Sequence, residues 1–104
     1  RVVVASHHPL CAAGTRATHC CWNGAEVLAA VEGSAVIALA GHDHPGGYTF
    51  ANDVHCVTVE AMLEAPLGSN AFGVLSETEN DSLQLTGFGV VPSRTLAIKQ
   101  TQRS

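Results

Sequence analysis

Two short stretches hold the residues best able to do chemistry: Ser6-His7-His8-Pro9, and Gly41-His42-Asp43-His44 running on into Pro45-Gly46-Gly47. Neutral imidazole is the commonest side-chain ligand for borderline metals such as zinc, manganese and iron. His42 and His44 flank Asp43, so in extended backbone both rings lie on one side of the chain. Gly41, Gly46 and Gly47 let the backbone bend and approach a metal or a phosphate closely, and Pro45 stiffens the turn. His7 and His8 are adjacent and would point to opposite sides of a strand end, so one is expected to reach the same centre while the other meets substrate or packs on the loop. Asp43 reads either as a partner that orients an imidazole or as an exposed turn aspartate.

Three histidines and a water form a known zinc arrangement. A self-contained three-histidine zinc hydrolase is therefore one reading of these residues. A non-catalytic metal-binding or interaction module, or a pair of solvated loops, are the others. Two-metal hydrolytic sites need bridging carboxylates, and none stands at a matching strand end; Glu60 and Glu64 follow a later strand and suit solvated or capping roles better than ligation. His19 and His55 stand alone in the sequence and are expected to be structural or surface residues.

The elements that must position these groups follow from periodicity. Val2–Ala5 is a continuous β-branched run, the pattern of a buried strand, ended by the first histidine pair. Leu10–Cys21 has no periodicity and reads as a loop. Trp22–Val31 carries Trp22, Ala25, Leu28 and Ala29 at helical spacing, with Gly33 as a stop. Ser34–Ala40 is a second buried strand whose end delivers Gly41-His42. Strand, helix and strand with short links build a parallel sheet, and ligands in such sheets sit at the carboxyl ends of the strands. Both histidine stretches fall there. Val54–Val59, Ala71–Ser76 and Ser82–Gly87 read as further strands, with Glu77–Asp81 a hairpin turn between the last two.

Composition excludes several classes. Hydrophobic residues make up 46% of the 104 and charged residues 13%, enough for a packed core and against disorder. A net charge of −4 with five Lys+Arg lacks the basic footprint of a nucleic-acid binder. The apolar stretch 27–40 is interrupted by Glu32, Gly33 and Ser34 and is too short to span a membrane. Cys11, Cys20, Cys21 and Cys56 form no C-x-x-C pair, and reduced thiols in a cytoplasmic protein are expected. P-loop, dinucleotide-binding and nucleophile-elbow motifs are absent. Arg1 leads straight into an apolar run, a start expected of a piece of something longer.

VVVASHHPL followed by ALAGHDHPGGY resembles the calcineurin-like metallophosphoesterases, in which one strand ends in H-x-P and a later one in G-H-x-H. Trp22-Asn23 opening a helix with EVL, the GGY after the histidines, VTVEAMLEAPLGSNAFGVL and LTGFGVVPSR narrow the resemblance to the manganese-dependent ADP-ribose/CDP-alcohol diphosphatase branch. The resemblance covers nearly all of residues 2–99. It implies an α/β fold, the C-terminal half of a four-layer α/β/β/α sandwich, with residues 1–99 forming part of that domain and 100–104 a tail. It implies a binuclear centre for Mn²⁺, with Fe or Zn as alternatives, in which His7 and His42 bind one ion and His44 the other. Water activated there would cleave the diphosphate bond of ADP-ribose, CDP-alcohols or similar small nucleotides. His8, Gly46, Gly47 and Tyr48 would line the substrate rim. The family's aspartate and asparagine motifs have no counterpart in these residues, so the missing N-terminal half of the domain is the implied partner, and the piece alone is expected to be inactive. Pro45 stands where an acidic residue is common, Phe88 and Val91 stand in a stretch usually more basic, and Arg94 keeps the VPSR pattern.

Overall fold

Both histidine stretches hang from one four-stranded sheet. The computed structural model describes residues 2–79 and 81–98; Arg1 and the expected tail, Lys99 onward, lie outside the described residues. Strands β1 (Val2–Ser6), β2 (Ala35–Ala40) and β4 (Val54–Thr58) run parallel, and β3 (Gly47–Ala51) closes the sheet antiparallel to β4, in the order β1-β2-β4-β3. A second, antiparallel sheet has β6 (Ser82–Gly89) between β5 (Ala71–Glu77) and β7 (Arg94–Ala97).

A helix, α1 (Gly24–Val31), crosses from β1 toward β2 and covers one face of the first sheet. Its inward residues are Gly24, Val27, Leu28 and Val31, spaced i, i+3, i+4 and i+7. That stripe is one register away from the expected face. The helix begins at Gly24, and Trp22, assigned to its apolar side from the sequence, is 92% exposed. Leu10, Leu28, Ala35, Ala38, Val54 and Cys56 fill this layer. Ile37 and Val57 point from the opposite face of the sheet into a second core with Leu83, Leu85 and Leu96 of the second sheet. The described residues thus form three layers, helix, sheet and sheet. The outer face of the second sheet presents Phe72 stacked on Phe88 at 4.7 Å.

Val2–Ala5 forms the expected strand, paired on one side with β2, and in these residues alone Val2 and Val3 are about half exposed. Gly47–Ala51, to which the sequence assigned no element, is a strand joined to β4 by the tight Asn52-Asp53 turn, both residues at positive φ (54° and 59°) as a type I′ hairpin requires. Leu10–Cys21 contains two short 3₁₀ turns, Ala12–Gly14 and Ala17–His19. The expected turn between β5 and β6 is present, closed by the Thr78 amide donating to the Ser82 carbonyl at 2.9 Å.

Candidate metal centre

β1 and β2 pair in parallel register, with Ser6 opposite Ala40. The ladder continues one step further, where the Gly41 amide donates to the His7 carbonyl at 3.0 Å. This fixes the two histidine stretches side by side at the carboxyl ends of neighbouring strands. The His7 Nε2 and His42 Nδ1 atoms are 3.1 Å apart.

His7 and His8 do not diverge as adjacent strand residues would. β1 ends at Ser6, and the Ser6 hydroxyl donates to the His8 carbonyl at 2.8 Å, pulling the chain into a bend. Strand alternation therefore stops before the pair, and both rings turn toward His42: their centroids lie 4.9 Å and 4.3 Å from its ring. Each of His7, His8 and His42 offers a nitrogen, and the three atoms lie within 4.8 Å of one another.

Residues 41–44 are not extended either. His42 sits in the left-handed region at φ 65°, unusual for a residue with a Cβ and characteristic of functional sites that store backbone strain. The rings of His42 and His44 consequently do not share one target. His44 Nδ1 meets both carboxylate oxygens of Glu64, at 2.9 and 3.0 Å. Glu64 sits in a 3₁₀ turn after β4, and the Ala61 amide donating to the His44 carbonyl holds that segment against the loop.

The residue between the two histidines supplies the rigidity. Asp43 is 2% exposed, not a solvated turn residue. Its carboxylate accepts the Arg16 backbone N–H at 2.9 Å and Arg16 Nε at 2.7 Å, with Arg16 Nη2 on the same oxygen. The Arg16 N–H, followed by the Arg16 guanidinium, holds the Asp43 carboxyl below the usual carboxylate range, against its burial. This clamp pins the 10–21 segment to the histidine loop. It also brings in His19, whose ring centroid lies 5.5 Å from that of His42. Sequence spacing gave no sign of this, because His19 is placed by the Arg16 contact next door and not by any periodicity. Partial desolvation, then the neighbouring His8, His7, His19 and His44, hold the His42 imidazole below the usual histidine range. A neutral imidazole is the metal-binding form.

The remaining expected rim residues also make contacts within the fold. Gly46, at φ 77°, lies against the Glu60 side chain, and a Cβ on Gly47 would stand 1.9 Å from the Gly14 carbonyl oxygen. Tyr48 turns toward the inter-sheet core, where its hydroxyl bonds His55 Nδ1 at 2.7 Å and Arg94 lies over its ring at 4.7 Å. His55 Nε2 donates in turn to the Ala97 carbonyl at 2.7 Å. His55 is thus the structural residue expected, bridging the two sheets.

No protein-family model matches the chain. Relatives and a solved structure do. The chain is 38% identical over 89 residues to the manganese-dependent ADP-ribose/CDP-alcohol diphosphatase of Oryza sativa, covering 83% of this chain and 27% of that protein. The protein of the same name from Mus musculus is 32% identical over 105 residues, covering 98% of this chain and 31% of its own length. The crystal structure of a dimetal phosphatase from Danio rerio superposes with a TM-score of 0.87 at 29% identity, over 95% of this chain and 32% of that one. The chain belongs to the metallophosphoesterase family. It spans about a third of the length of the relatives it matches. The mixed α/β arrangement with two facing sheets is the metallophosphoesterase fold expected from the sequence.

The donor chemistry of this metallophosphoesterase chain fits a divalent ion. Imidazole nitrogens converge at the ends of β1 and β2, and the Arg16 guanidinium, which holds the loop between His42 and His44, is committed to Asp43. No carboxylate stands within the three-imidazole group among the described residues.

Proposed function

We propose that this chain carries the histidine side of a binuclear metal centre that hydrolyses the diphosphate bond of ADP-ribose, CDP-alcohols or a similar small nucleotide. The observation behind this reading is the 3.1 Å approach of His7 Nε2 to His42 Nδ1 at neighbouring strand ends, in a chain whose relatives carry the names manganese-dependent diphosphatase and dimetal phosphatase. His7 and His42 would hold one ion and His44 the other, with Mn²⁺ the metal named for the relatives.

Divalent ions in such a centre neutralise charge on the phosphoryl oxygens and activate the attacking water. The chain's own residues do the positioning. The Asp43–Arg16 clamp fixes the loop between the two ligands, and the left-handed backbone at His42 aims its ring at β1. Glu64 holds the His44 ring through Nδ1, leaving Nε2 as the donor atom. His8, which adjoins His7, and Gly46 and Gly47, which follow His44 in the chain, would border the substrate. Two-ion chemistry needs bridging carboxylates, so residues 1–99 act as one part of a larger domain and this segment alone turns over little. The substrate is then a small molecule, neither nucleic acid nor a membrane surface. Four free thiols suit the cytoplasm, and no helix among the described residues is long and apolar enough to cross a membrane.

The test is Mn²⁺-dependent release of AMP from ADP-ribose by the protein containing this segment, beside His42→Ala. Loss of turnover in the variant supports the assignment. Unchanged turnover in His42→Ala would overturn it.

A further inference from the structure

The approach of a third imidazole to the His7–His42 pair is specific to the bend after β1. Family resemblance makes His8 the intervening residue of an H-x-P motif, pointing to substrate. In the structure its ring is closer to His42 than the His7 ring is, 4.3 Å against 4.9 Å between centroids, and its nitrogen falls in the same 4.8 Å group as theirs. We propose that His8 is a third protein ligand to the ion held by His7 and His42, and that it tunes this position toward nitrogen-preferring metals such as Zn²⁺ over Mn²⁺. The inference rests on the strand-end metal centre of the proposed function.

The physical basis is the donor count. Nitrogen ligands bound at about 2.0–2.1 Å to one ion in tetrahedral geometry stand roughly 3.3 Å apart. His7 Nε2 and His42 Nδ1 are already at 3.1 Å. The His8 nitrogen lies within 4.8 Å of theirs, its side chain is exposed, and the Ser6 hydroxyl holds its carbonyl while leaving the ring outside that hydrogen bond and able to turn toward the pair. Imidazole suits zinc, copper, iron and nickel, whereas manganese favours oxygen donors. Each added imidazole therefore raises affinity for the first group more than for manganese. His19 differs: its Nδ1 is 3.0 Å from the Thr18 hydroxyl, and His19 lies outside the three-nitrogen group.

The experiment is calorimetric titration with Zn²⁺ and with Mn²⁺, and Co²⁺ absorption spectra, on the full chain and on His8→Ala, His19→Ala and His42→Ala. Circular dichroism confirms that each variant is folded. Ligation by His8 predicts that His8→Ala weakens Zn²⁺ at least tenfold and Mn²⁺ less than threefold, and alters the Co²⁺ bands, while His19→Ala does neither. Zn²⁺ affinity within twofold of the parent in His8→Ala, with binding lost in His42→Ala, would refute the role of His8 and leave the centre intact. Equal losses in His8→Ala and His19→Ala would refute it as well, showing a general electrostatic effect of the cluster. No change in any variant, His42→Ala included, would overturn the metal centre itself.

Discussion

Replacing Asp43 by alanine tests what makes the histidine loop rigid. The buried carboxylate takes three contacts from Arg16, one from its backbone N–H and two from its guanidinium. A hydrogen bond to a charged group contributes about 1.5–3 kcal/mol. The guanidinium end is 56% exposed and is rehydrated when its partner goes, which discounts those two contacts heavily. The alanine is also spared the cost of burying a charge. The net loss is then about 2–3 kcal/mol, dominated by the Arg16 N–H left without an acceptor. In a domain of this size about 4–8 °C of melting temperature accompanies each kcal/mol, so Asp43→Ala should melt roughly 8–24 °C lower by circular dichroism. Asp43→Asn keeps an acceptor for the N–H and should lose about half as much. The lowered folded pKa of Asp43 adds a sign: its contribution is complete above the ordinary carboxylate value of about 3.9 and disappears as pH falls through the lower folded value. Stability of Asp43→Asn should therefore fall less steeply on acidification than that of the parent. A melting shift below about 3 °C for Asp43→Ala would refute the clamp as the support of the loop.

Other consequences can be checked the same way. Gly47→Ala forces a Cβ into the Gly14 carbonyl and should cost about 3 kcal/mol or more, whereas Gly41→Ala, whose nearest neighbour is the His7 oxygen at 3.9 Å, should change urea unfolding by under about 1 kcal/mol. His55→Ala leaves the Tyr48 hydroxyl and the Ala97 carbonyl unpaired beside a cavity and should destabilise by about 3–4 kcal/mol; Tyr48→Phe, losing one hydrogen bond, should cost about 1–2. Burial, with a smaller effect of Cys11, pushes the Cys56 thiol up to about 11. Iodoacetamide at pH 8 should thus modify Cys11, Cys20 and Cys21 before Cys56 in the native protein, read by mass spectrometry, with the difference vanishing in urea. Equal rates in the native state would contradict the packing of Cys56 under α1.

How much of this was legible in the sequence depends on what positions each residue. Ser34–Ala40 announces itself as an apolar run, and because its end must carry Gly41-His42, the place where the histidines gather followed from pattern alone. Gly47–Ala51 did not, since its strand character comes from pairing with the fully buried β4 and from the Asn52-Asp53 turn, whose two positive-φ residues were the available and unused signal. The His7–His8 pair was misread because alternation was carried past the last ladder residue, where a side-chain hydrogen bond takes over. The path of Leu10–Cys21 has no local signature at all. It is dictated by close approaches made elsewhere in the chain, Gly14 against β3, Gly24 against the Leu10 carbonyl and Arg16 on Asp43. Only after those are known does His19 come near His42.

The pairing of β1 with β2 bears on the proposed centre as well. Among the described residues β1 pairs with β2, and the histidines that follow these two strands are the ones that meet. If those histidines hold an ion, a fluctuation that peels β1 from β2 would also separate the ligands, and occupancy and strand pairing would be thermodynamically linked. At a free ion concentration one hundred times Kd this linkage is worth about 2.7 kcal/mol. The backbone amides of Val2–Ser6 should then exchange with deuterium about a hundredfold more slowly when the site is saturated, while those of β7, which belongs to the second sheet, should exchange at an unchanged rate. The ion would act on the protein as a rivet across the ends of two paired strands.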